Sequence, residues 1–112
     1  MTTNKATETI EKAILIGQVS QEVMAEWKKQ HGTVHEIQVE DKVGYLKKLD
    51  RTSFSLALTY LGRDNVKFAE AIWENNFIGG EKDMITDMDY VPGVIEECMR
   101  IVNGVKSKYV KH

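Results

Sequence analysis

Two histidines, His31 and His35, are the first residues whose type and spacing suit chemistry. On one helix face, imidazoles four apart can share a transition metal. Gly32 and a change of hydrophobic period fall between them, so they read as surface or turn histidines. Cys98 is the sole cysteine and lies on an apolar stripe with no histidine in sequence reach. It reads as a buried, inert thiol, and one thiol supports neither an internal disulfide nor a thiolate zinc site. Ser20, Ser53, Ser55 and Ser107 lack the glycine-flanked elbow of a nucleophilic serine. Gly79-Gly80 is not followed by the lysine and hydroxyl of a phosphate loop. It reads as a turn that needs a positive φ. Glu81, Asp83, Asp87 and Asp89 have calcium-loop chemistry, but Met84 and Ile85 fill the middle where a central glycine is required. That stretch reads as a solvated acidic loop. No catalytic residue, transition metal, nucleotide or other cofactor is expected.

The remaining chemistry is apolar. Met84, Met88 and Met99, with Val91, Ile95 and Ile101, make the C-terminal third apolar on more than one side. Methionine-rich faces adapt to varied partners, so Met84, Met88, Met99, Ile101 and Val105 are the candidate partner-binding residues. Simple core filling is the competing reading. Trp27 and Trp73 lie on helix stripes and read as core anchors.

Bulk properties limit the classes further. The 112 residues make one domain at most, and 42% apolar against 29% charged residues is an ordinary globular profile, too apolar for a disordered tail. Fifteen basic against seventeen acidic residues give a net charge of -2, which argues against a nucleic-acid binder. The longest apolar run is Ala13–Ile16, too short for a membrane span. No leader is visible, and the lack of disulfides fits a reducing cytoplasm.

The elements that would position these residues follow from period and punctuation. Residues 1–19 read as an N-terminal arm or short helix, with helical spacing over 6–16 stopped by Gly17. Residues 20–112 read as a single α+β domain. Ser20 is a candidate N-cap for a helix ending at Gly32, with Val23, Met24 and Trp27 as its buried stripe. Thr33–Glu40 alternates, with His35, Ile37 and Val39 on one face, and Val43–Leu49 reads as the returning strand. The intervening turn lacks an Asn-Gly signal, so a longer or bulged connection is expected. Two strands alone are marginal in water, so the hairpin must pack on helices or find a third strand. Asp50 and Asp64 cap two further helices, separated by a sharp turn at Gly62-Arg63, and the second gives way to a loop over 75–80. Asp87 or Asp89 caps a last helix, where Pro92 is tolerated in the first turn. The expected architecture is a β-hairpin packed with four to five helices, mostly helical. Trp27, Phe54, Leu58, Phe68, Ile72 and Trp73 should be among its most buried side chains.

One resemblance adds a functional expectation. Glu26-Trp27-Lys28-Lys29-Gln30-His31-Gly32 ends a helix before a strand containing Val43-Gly44-Tyr45-Leu46. Lys67-Phe68-Ala69-Glu70 then leads to Asn75-Asn76-Phe77-Ile78-Gly79-Gly80. Over about residues 20–90 this order resembles small phage and prophage proteins described as tail assembly chaperones. The resemblance implies a non-enzymatic helper in the bacterial cytoplasm that binds a tape-measure or tail-tube protein, with no cofactor. Separately, the open edges of a lone hairpin lead to an expectation of weak to moderate self-association, and the charge balance and short apolar runs to one of no nucleic-acid or membrane partner. The alternatives are an interaction module of another process, or a small enzyme whose site is assembled only by the fold.

Overall fold

The computed structural model describes residues 14–110, with side chains through Gly104. Its order is α1 (Gln21–His31), β1 (Val34–Val39), β2 (Lys42–Lys47), α2 (Arg51–Tyr60), α3 (Asn65–Asn76), β3 (Phe77–Gly80), a 3-10 turn (Lys82–Ile85) and α4 (Val91–Val110). This is an α+β fold with a three-stranded antiparallel sheet in the order β1-β2-β3. The third strand comes from the same chain. It occupies the segment expected as a loop, because α3 passes directly into extended backbone at Phe77.

The helix starts follow from their capping residues. Side chains of Ser20, Asp50 and Asp64 accept from the N–H groups of Val23, Ser53 and Lys67 at 3.2, 2.8 and 3.1 Å. Each bond satisfies an orphan first-turn donor, worth about 1 kcal/mol. Hydrogen bonding by the Ser53 backbone N–H also lowers the Asp50 pKa. Residues 6–13 of the expected N-terminal helix lie outside the described residues, and Ile14–Ile16 are not helical. Ile16 instead stitches onto β2: its N–H donates to Asp41 O and its C=O accepts from Val43 N–H, both at 2.9 Å. β3 leaves this end of β2 with backbone groups to satisfy, and that demand holds the segment extended.

The hairpin turn has only two residues, Glu40 and Asp41, not the longer connection expected. Glu40 adopts φ 54°, an uncommon value for a side chain of its kind, which composition does not announce. The register is continuous over six pairs, from Val34 opposite Lys47 to Val39 opposite Lys42. Against β3 the register slips between Tyr45 and Leu46, so Ile78 is the extra residue of a bulge.

Alternation assigns the two faces. Ile37, Gly44 and Leu46 share the core face, and Glu36, Gln38, Val43 and Tyr45 share the other. Trp73 from α3 lies on the core face, so close to Gly44 that an added Cβ would stand 2.4 Å from the ring. Phe68, Ile72, Trp73, Val94, Cys98 and Val102 complete a buried apolar cluster with Ile37 and Leu46. Phe68, Ile72 and Trp73 are fully buried as expected, but Trp27 and Phe54 are half-buried and Leu58 is 37% exposed. α2 packs chiefly against α3 alone and buries only Ser53 and Ala57. Among the described residues no second element packs as extensively on it, and its larger apolar residues Leu56 and Leu58 stay at the rim.

Candidate binding surfaces

α1 buries none of its own residues, which corrects the expected stripe of Val23, Met24 and Trp27. Val23 is exposed. The helix is seated by one aromatic anchor. The Trp27 ring rests on Gly79, where an added Cβ would stand 2.5 Å from it. Its centroid lies 5.3 Å from that of Tyr45, at 54°. Tyr45 and Gly79 are cross-strand partners, so the bare glycine creates the seat beside the phenol ring. The Val19 N–H donates to Tyr45 Oη at 3.4 Å, and burial raises the pKa of that phenol.

Beside this anchor, a groove of about 620 Å³ opens between residues 15–28 and the outer sheet face. Leu15, Val19, Met24, Ala25 and Tyr45 line it, with Lys28 and Glu36 among its polar residues. Ile14 and Ile16, in the segment that leads into it, are exposed large apolar residues. A groove with aliphatic and methionine walls and a mixed-charge border has the chemistry to take an apolar peptide segment. It holds no pair of carboxylates and no histidine.

The C-terminal candidates are divided by the fold. Met84 is fully buried in the 3-10 turn and belongs to the core, which removes it as a surface residue. The acidic stretch needs an apolar pin to hold it against the sheet, and Met84 and Ile85 supply one. Met88 is 68% exposed. Met99 and Ile101 are half-buried and pack against the core. The Val105 side chain lies outside the described residues. Ile101 also lines a second groove, of about 390 Å³, beside His35, Glu36, Ile37, Glu97 and Arg100.

A polar latch ties the hairpin turn to the start of α4. Tyr90 Oη donates to Asp41 Oδ1 at 2.6 Å, and Lys42 Nζ lies 4.4 Å from the Tyr90 ring centroid and 3.9 Å from Asp87 Oδ2. The hydrogen bond to Asp41 is the main reason the Tyr90 phenol is pushed up to about 12, and it lowers the Asp41 pKa in turn. Cys98 is buried, and desolvation pushes its thiol up to about 12. At that value the thiolate is scarce at neutral pH. Among the described residues no three His, Cys, Asp or Glu side chains gather as a metal group, and no helix is long and apolar enough to cross a membrane.

Comparison of the chain with protein-family models, curated proteins and solved structures finds no match to any of the three. The surfaces therefore carry the functional reading. The sequence reading missed the first groove because its walls come from three separated segments. The available signal was Tyr45 on the strand face opposite Ile37 and Leu46. A large side chain there requires a cover, and Trp27, on the helix that precedes the hairpin, could supply it.

Proposed function

We propose that this protein is a non-enzymatic binding protein of the tail assembly chaperone kind. In this reading it shields an apolar segment of a tape-measure or tail-tube protein before assembly. The observation that supports the reading is the groove between α1 and the outer sheet face, where apolar walls remain open to solvent. α1 is seated by Trp27 and buries no residue of its own, so it can shift to fit segments of different bulk. Shallow seating of this kind suits a reversible holder better than a permanent subunit. The choice of a tail protein as partner rests on the resemblance over residues 20–90.

The test is calorimetric titration of the purified chain with purified tail-tube protein and with peptides tiling the tape-measure protein. Saturable binding is expected for at least one apolar segment. Met24→Glu should weaken it about tenfold or more, because the new carboxylate would have to be desolvated against the bound segment. Its circular dichroism should stay unchanged, since α1 contributes no buried residue. Equal affinity in the Met24→Glu variant would exclude the groove. Binding of apolar peptides without binding of any tail protein would favour an interaction module of another process.

A further inference from the structure

The sheet has two unlike edges. β3 has four residues, two of them glycines, and a bulge. Such features protect an edge from pairing with another chain. β1 has six residues, no proline, lysine or glycine, and an unbroken register with β2. Its outward backbone groups can be assigned. Both polar groups of Val43 are used on the side away from β1, by Ile16 and Glu81. Gln38, opposite Val43, therefore directs its own N–H and C=O away from β2, and alternation gives the same outward direction at Val34 and Glu36. Among the described residues no strand covers that side.

The second groove runs against this edge. It is lined by consecutive residues His35, Glu36 and Ile37, whose side chains alternate between faces, and by Glu97, Arg100 and Ile101 of α4. α4 follows β1 in the opposite direction. Gly93 abuts Val39, and Ile101 lies in the groove with His35 and Ile37. Eight helical residues rise about 12 Å, close to the ~13 Å spanned by four strand residues. Helix and strand thus advance together along the edge.

We infer that a second copy of this chain docks on the β1 edge, joining the two sheets into one six-stranded antiparallel sheet with the two α4 helices side by side. The backbone narrows the register. Outward-facing residues must form the hydrogen-bonded pairs, which is met when Ile37 lies opposite Ile37 of the second copy and Glu36 opposite its Gln38. Placing Glu36 opposite itself would set like charges together. A two-fold axis at Ile37 falls on α4 near residues 97–99 by the same matching of rises. There Glu97 of each copy meets Arg100 of the other, so the interface is self-complementary in charge, as a two-fold contact must be. Arg100 is exposed, and the pair already forms within one chain at 2.9 Å. At Gly104 an added Cβ would meet no atom of the described residues within 4 Å. This interface runs along the second groove, which shares only Glu36 with the proposed partner site, and self-association is read without any partner present.

Sedimentation equilibrium of the full chain tests the inference, with a dimer expected by about 100 µM, the range of a micromolar contact. Arg100→Glu sets like charges against each other across the axis and should weaken dimerisation about tenfold or more. Adding Glu97→Arg to Arg100→Glu should restore it. Glu36→Pro removes an outward N–H while sparing the bonds to β2, and should give a monomer with unchanged circular dichroism. A monomeric wild type at that concentration overturns the inference. So does a dimer that survives Arg100→Glu and Glu36→Pro, or a charge swap that fails to restore association.

Discussion

Gly44 and Gly79 are pressed by tryptophan rings from opposite faces of the sheet, at nearly equal distances, yet adding one methyl to each should have unequal cost. At Gly44 the new Cβ would stand 2.4 Å from Trp73, and at Gly79 2.5 Å from Trp27. Trp73 is fully buried among core side chains, whereas Trp27 is half-buried on a helix with no buried residue. Close-packed interiors resist such a shift, and overpacking costs about 1–3 kcal/mol. At Gly44 the upper half of that range applies, because the ring has no open side. Restricting the unfolded chain by Gly→Ala returns about 0.4–1 kcal/mol. Gly44→Ala should therefore lose about 1–2.6 kcal/mol net, a Tm drop of roughly 4–11 °C for a domain of this size. Gly79→Ala should stay within about 1 kcal/mol of the wild type, because Trp27 can lift with α1. Paired urea melts followed by far-UV circular dichroism, with near-UV dichroism for the ring environments, read both effects. A Gly44→Ala protein as stable as the wild type, or a larger loss for Gly79→Ala, would refute the assignment of the rigid and movable faces.

Gly80→Ala should lose more than about 1 kcal/mol in the same melts, because φ is 99° and a Cβ would meet Val43 O at 2.6 Å. Ile72→Ala should lose about 2–5 kcal/mol, whereas Leu58→Ala, at a 37% exposed position, should lose less than about 1.5. Tyr90→Phe removes the hydrogen bond that lowers the Asp41 pKa. A depressed folded-state carboxyl contributes stability above its unfolded pKa and loses it as pH falls through the folded value. The stability gap between wild type and Tyr90→Phe should thus be widest near neutral pH and shrink below about pH 4 in acid melts. A gap that widens in acid would contradict the latch.

Much of the helical framework was legible because its signals are local. Ser20, Asp50 and Asp64 stand where a helix must start, and the spacing of Phe68, Ile72 and Trp73 identifies a face before its neighbour is known. β3 was not legible, because four residues with two glycines are too few to display a period of two. Asn75-Asn76 followed by Gly79-Gly80 also satisfies every rule for a helix stop. The two-residue turn was hidden by Glu40, whose left-handed φ is imposed by the strands on either side. Exposure of Leu58 was missed for another reason: a stripe shows which face is apolar, but not whether one helix or two will cover it. The binding surfaces were the least legible, since residues 15–28 and Tyr45 meet only after the sheet has formed. The candidate methionines show the same limit, with Met84 in the core and Met88 in solvent only four residues apart.

That scatter makes methionine methyl groups natural reporters of where a partner binds. Met24 lines the groove beside α1, Met84 is buried in the core, Met88 is exposed, and Met99 lies half-buried on α4. The direct test is NMR titration of the methyl-labelled chain with a tape-measure or tail-tube fragment that binds it. The Met24 resonance should move in a saturable way while those of Met84 and Met88 hold still. Saturable movement of Met88 with Met24 unmoved would contradict this and place the partner on the C-terminal surface instead.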